Sequence, residues 1–214
     1  MDSLTMGPDE IEAGSFSIIA AEASDHGRPE PEWQVLRRVI HTSADFDYVK
    51  SLLFSPDAVK KGVAALQDGA AIVTDSTMTL SGINKPRLAS FGCKVSCHVA
   101  DPDVAKLAKE EGITRSVAAM RKAAADRANR IFVIGNAPTA LFELLRLIAS
   151  GYVLPELIVA LPVGFVGAAE SKRILAGGNH GVPFITNIGR KGGSNIAASV
   201  VNALAIQAGE IMEL

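Results

Sequence analysis

The chain has 214 residues, 48% apolar and 21% charged, which is enough to bury the core of one domain and too apolar for a disordered or fibrous polymer. Twenty-one Lys and Arg against 23 Asp and Glu leave a net charge of −2, so no global basic field exists to hold a polyanion, which argues against nucleic-acid partners. The longest apolar stretch, Ile131 to Ser150, is interrupted by Pro138, Glu143 and Arg146, so it falls short of the roughly 20 clean residues of a membrane span. From the N-terminus, residues 1–31 form an acidic segment with one base, Arg28, and scattered Gly and Pro. Within it only Ser15-Phe16-Ser17-Ile18-Ile19 is apolar enough to pack on the core as a short anchored segment. Met1 to Gly14 has neither a basic nor an apolar signal region, which implies a cytoplasmic protein.

Five short β-branched runs follow: 70–74, 94–99, 131–134, 157–161 and 182–186. Between and after them lie Ala/Leu/Lys/Glu-rich segments of helical length at 101–111, 114–128, 137–150, 166–176 and 193–212. Parallel strands need crossovers of that length, and continuous apolar strands suit a sheet buried on both faces. The expectation is a three-layer α/β/α fold over residues 1–214, a single domain with a mostly parallel five-stranded sheet. It is Rossmann-like in layout but lacks the dinucleotide fingerprint, because no G-x-G-x-x-G follows the first strand.

In such a fold ligands sit outside the carboxyl ends of the strands. The junction Gly189-Arg190-Lys191-Gly192-Gly193-Ser194 opens a helix with two cations beside free N–H groups; it reads equally as an anion site or as a turn with a Ser cap. Cys93 and Cys97 are too far apart along a strand for an unstrained disulfide, and Cys97-His98 lacks a second ligand pair for zinc, so both are read as reduced thiols and no metal site is expected. His41 has a denser setting, Arg38-Val39-Ile40-His41-Thr42-Ser43-Ala44-Asp45-Phe46-Asp47. There imidazole could exchange a proton while Thr42 and Ser43 fix its tautomer and Arg38 holds an acidic ligand; the same pattern also fits a histidine stabilised at a helix C-terminus. The stretch from Ile113 to Arg130 carries five bases, Arg115, Arg121, Lys122, Arg127 and Arg130, against the one acid Asp126.

These motifs together resemble the precorrin-8X methylmutase family of cobalamin biosynthesis, which includes the cobalt-precorrin-8 enzymes. The shared pattern runs through Ser15-Phe16-x-Ile18-Ile19, the Arg38 to Asp47 block, Asp75-x-x-Met78-x-x-x-Gly82-Ile83 and Gly135-Asn136-Ala137-Pro138-Thr139-Ala140-Leu141. It continues through Pro162-Val163-Gly164-Phe165-Val166-x-Ala168-Ala169-Glu170-Ser171-Lys172 and Gly189-x-Lys191-Gly192-Gly193-Ser194. The resemblance implies an isomerase that moves a methyl group from C-11 to C-12 of a corrinoid, with His41 as catalytic acid and Ser15 and Arg38 touching substrate. Such a shift consumes no methyl donor and calls for no cofactor. The carboxylate arms of the substrate suggest a role for Arg87, Arg115, Arg190 and Lys191. A flat, many-armed macrocycle on a small domain further suggests a homodimer, with the basic segment around Arg115 and Arg121 completing the partner's site. The rival reading is a non-catalytic tetrapyrrole carrier, which would need the cationic pocket but not His41.

Overall fold

The computed structural model describes residues 6–212, built around one six-stranded sheet in the order β1-β6-β5-β4-β2-β3. The strands are β1 (Leu52–Phe54), β2 (Ala71–Thr74), β3 (Val95–Cys97), β4 (Asn129–Ile134), β5 (Leu157–Ala160) and β6 (Phe184–Asn187). All neighbours pair in parallel except β1, which runs antiparallel to β6 with Leu53 opposite Thr186. The five expected strands are all present, and β1 corrects the count to six. It is only three residues long and its partner lies more than 130 positions away, so neither periodicity nor a local turn announces it.

The helices are α1 (Pro8–Glu22), α2 (Glu30–Ser43), α3 (Tyr48–Ser51), α4 (Ala58–Gln67), α5 (Thr77–Gly82), α6 (Lys85–Ala89), α7 (Pro102–Glu111), α8 (Arg115–Ala125), α9 (Pro138–Ala149), α10 (Ala168–Gly177) and α11 (Ser194–Met212). Period-two alternation along the strands divides them into layers. In β4, Ile131 and Val133 join a core with α1, α2, α4 and α11, whereas Phe132 and Ile134 join a second core with α8, α9 and α10. Each helix follows its apolar spacing: α9 starts with Pro138 in its first turn and buries Leu141, Leu144, Leu145 and Ile148, the i, i+3, i+4, i+7 stripe. Gly112, at φ 65°, ends α7, and the Thr114 hydroxyl accepts the Val117 N–H to start α8. No helix among the described residues is long and apolar enough to cross a membrane.

The acidic N-terminal segment is more regular than its composition suggested. Residues 1–5 lie outside the described residues, and the whole apolar patch, Ser15 to Ile19, belongs to the 15-residue α1. Pro8 in the first turn, the acids Asp9 and Glu10 at the positive helix end, and the Glu10 carboxylate accepting the Gly7 N–H at 2.9 Å give the helix its start. Only Ile19 of this patch is buried, with Phe16 packed at the edge of the core beside α2.

Candidate active site

The carboxyl ends of β2, β4, β5 and β6 converge, and one buried carboxylate organises them. Asp75, 3% exposed, follows β2 and accepts the N–H groups of Gly135 (2.9 Å), Asn136 (2.9 Å) and Ala137 (2.6 Å) at the end of β4. Burial pushes its carboxyl up, while the Ala137, Gly135 and Asn136 N–H groups pull it back toward the anion. Gly135 is required here because a Cβ would stand 2.7 Å from Thr79 Oγ1 and 2.8 Å from Ser194 Cα. The Ser76 and Ser194 hydroxyls, 3.0 Å apart, join the same strand end to the start of α11.

His41 lies exposed on the last turn of α2, which Ala44 closes in the left-handed conformation at φ 51°. Its ring leans on Phe16 of α1, centroids 5.1 Å apart, and the Arg37 and Arg38 guanidinium groups lie 4.4 Å and 5.1 Å from that same phenyl ring. The structure therefore brings His41, Arg38 and the Ser15–Phe16 turn together. Neither imidazole nitrogen is hydrogen-bonded to protein among the described residues. The expected tautomer lock is not there, because Ser43 Oγ donates to the Val39 carbonyl at 2.8 Å and accepts the Asp45 N–H at 3.2 Å. Ser15 Oγ is likewise turned to its own helix, donating to Ile11 O at 2.8 Å, and Arg38 pairs with Glu12 at 3.1 Å at the exposed edge of the site.

The Gly189–Ser194 junction meets this end of α2. Lys191 Nζ contacts Asp45 Oδ2 and Asp47 Oδ2, each at 2.6 Å, which lifts the ammonium above the usual lysine range and lowers Asp45. Thr42, Asp45, Tyr48, Val163 and Lys191 line a cleft of about 370 Å³ there, and burial, then the Asp45 charge, push the Tyr48 phenol up to about 12. Arg190 beside it is exposed over the Phe165 ring at 5.4 Å. Behind the loop Lys172, 1% exposed, donates to Asn187 Oδ1 at 2.9 Å and to the Lys191 carbonyl at 2.6 Å.

The remaining bases do not gather around His41. Arg115 starts α8 on the other layer, although at the same sheet edge, since Thr114 and Thr139 hydroxyls meet at 3.2 Å. Arg87 sits exposed on α6, in the segment that returns to the amino end of β3. The basic segment is also less unbalanced than its composition implied: Arg121 meets Glu111 and Glu143, Lys122 meets Asp101 and Asp103, and Arg130 meets Asp68 and Glu156. Distant elements supply the neutralising acids. Arg115 alone of the five makes no ion or hydrogen-bonded side-chain pair among the described residues, Arg127 donating to the Tyr152 carbonyl. Cys93 and Cys97 are free, and no cluster of three or more metal-ligating side chains occurs among the described residues.

A family model described as Precorrin-8X methylmutase matches residues 10–207. The chain belongs to the precorrin-8X methylmutase family. It is 46% identical over 205 residues to a cobalt-precorrin-8 methylmutase of Priestia megaterium, covering 96% of this chain and 90% of that one. It is also 46% identical to a precorrin-8X methylmutase of Pseudomonas aeruginosa, covering 90% and 92% of the two chains. Among solved structures, a precorrin-8X methyl mutase from Thermus thermophilus superposes with a TM-score of 0.84 at 40% identity, covering 94% of this chain and 98% of that one. As a member of this methylmutase family the protein is an enzyme, an isomerase of cobalamin biosynthesis, which sets the carrier reading aside. Two residues that organise this methylmutase site, Asp75 and Lys172, sit inside motifs read from the sequence but were not among the expected site residues. Asp75 has one sequence signal, a lone acid at the end of an apolar strand run, whereas Lys172, flanked by Glu170 and Arg173, has none.

Proposed function

We propose that the protein moves a methyl group from C-11 to C-12 of precorrin-8X, or of its cobalt-containing counterpart, giving hydrogenobyrinate or cobyrinate. The observation that carries this reading is the free imidazole of His41, held on the last turn of α2 beside Phe16 and Arg38. A [1,5]-sigmatropic methyl shift needs no nucleophile or redox partner. A proton placed on a conjugated ring nitrogen withdraws density from the π system that receives the methyl, and His41, open to solvent, can deliver and recover it. Its ring nitrogens have no partner among the described residues, so both are available for that transfer. Ser15 and Arg38 are the substrate contacts nearest His41, Lys191 and Arg190 act from the loop that meets the end of α2, and Arg87 and Arg115 stand further off.

The same reading includes a homodimer whose sites are completed by the partner subunit. Its support is the apolar rim at the strand ends: Met78, Phe165 and Val166 are 73%, 84% and 91% exposed, apolar surface that a macrocycle and a second subunit would cover. Arg115, unpaired at that edge, is the residue assigned to the neighbouring site. The reduced Cys93 and Cys97 fit a cytoplasmic setting. Incubating the purified protein with precorrin-8X and with cobalt-precorrin-8 in parallel tests the reaction: at least one yields a product of unchanged mass and altered absorption spectrum. Conversion of neither would refute it.

A further inference from the structure

Among the described residues Lys172, 1% exposed, is the most deeply buried cation; it lies next to this site and no acid meets it there. The Lys172 ammonium is bonded only to neutral acceptors, Asn187 Oδ1 at 2.9 Å and the Lys191 carbonyl at 2.6 Å. A charge buried without a counter-charge is costly, and burial alone lowers this lysine to about 8. Asn187 Nδ2 donates to the same carbonyl at 2.9 Å, so the backbone of Lys191 is gripped from two side chains. Gly192 lets the loop lie against the end of β5, since a Cβ there would stand 2.2 Å from Leu161 O and its φ is 150°, and the Gly193 N–H holds it by donating to Leu161 O at 2.8 Å. From that fixed backbone the Lys191 side chain reaches Asp45 and Asp47, the two carboxylates just past the α2 turn that carries His41.

We propose that Lys172 is a positioning residue for substrate binding: by clamping the Lys191 carbonyl it keeps the Lys191 ammonium on Asp45 and Asp47, so that neither carboxylate repels the acidic arms of the corrinoid beside His41. The proposal rests on the corrinoid reading above and adds a cause for the site's tolerance of two acids. Lys191 is thereby a neutralising strut, and its removal or displacement exposes two negative charges at the mouth of the site. Such repulsion acts across water and is screened within about 10 Å at 0.1 M salt, unlike the loss of a packing contact.

The test uses Lys172→Met, which keeps volume and removes the charged, shorter half of the clamp, leaving only Asn187 Nδ2 on the Lys191 carbonyl. At low salt KM rises about tenfold with kcat within about threefold of wild type, and at high salt the rise in KM shrinks to below about threefold. Adding Asp45→Asn and Asp47→Asn to Lys172→Met returns KM toward the wild-type value, because the repelling charges are gone. Should Lys172→Met fail to fold, Lys172→Arg keeps the charge while displacing the single-point contact on the carbonyl, and the same salt dependence and rescue are expected of it. A KM within about twofold of wild type, or a rise that neither salt nor the Asn pair reverses, overturns the proposal while wild type turns over normally. Absence of corrinoid turnover by wild type would overturn the functional reading and the proposal with it.

Discussion

Replacing Asp75 by Asn separates structural support from chemistry at the strand ends. The carboxylate is 3% exposed and serves three backbone N–H donors, two through Oδ2 and one through Oδ1. A carboxamide can keep the donations of Asn136 and Ala137, which share Oδ2, on its oxygen, but its NH₂ then faces the Gly135 N–H, donor against donor. The Gly135 amide is buried, and an orphaned buried donor costs about 1–3 kcal/mol, partly offset by no longer burying a charge. The net is a loss of about 1–2 kcal/mol, which for a domain of this size lowers the melting temperature by roughly 2–8 °C. Denaturant titration with calorimetry reads both numbers, and turnover per folded molecule measured well below the melting point stays within about threefold of wild type. A variant as stable as wild type, or one of normal stability that has lost turnover, would refute the assignment of Asp75 to holding the Gly135–Ala137 loop.

Burial lowers Lys172 to about 8, below the roughly 10.4 of the unfolded chain, so between those values the unfolded state binds more protons and stability must rise with pH. Wild type should gain up to about 1.4 kcal/mol per pH unit between pH 8 and 10 relative to Lys172→Met in urea unfolding; parallel curves for the two proteins would contradict this. Co-expression of His41→Ala with Arg115→Ala, each inactive alone, should restore about a quarter of wild-type turnover, since roughly half of random dimers carry one intact shared site. No recovery in proven mixed dimers would place Arg115 within its own chain's site or outside any.

Most of the sheet could be read from the sequence because β2, β4, β5 and β6 are largely buried and each carries a short apolar, β-branched run. β1 could not, since three residues packed antiparallel at an edge carry no pattern of their own. The helical character of α1 was obscured by Gly14 and by the surplus of acids, although two of those acids are what starts the helix. Charge pairing was the least legible property. Arg121 looked unbalanced because Glu143 lies 22 residues away, and Lys122 because its acids sit at the other end of α7. The Arg38-Val39-Ile40-His41 motif located the helix turn, yet not that Ser43 would be spent on backbone. Asp75 and Lys172 are satisfied by main-chain atoms and an amide, so no complementary charge in the sequence marked either of them.

The central claim, that His41 supplies the proton for a methyl shift within a corrinoid, is tested most directly by measuring turnover and binding together in His41→Ala. The imidazole is exposed and makes no hydrogen bond to the fold among the described residues, so its removal should leave stability near that of wild type. Isomerisation of the corrinoid should fall by at least about 10²-fold, the usual worth of a general acid, while corrinoid affinity stays within about tenfold. Retention of more than about a tenth of wild-type turnover, with binding intact, would remove His41 from the reaction and contradict the account.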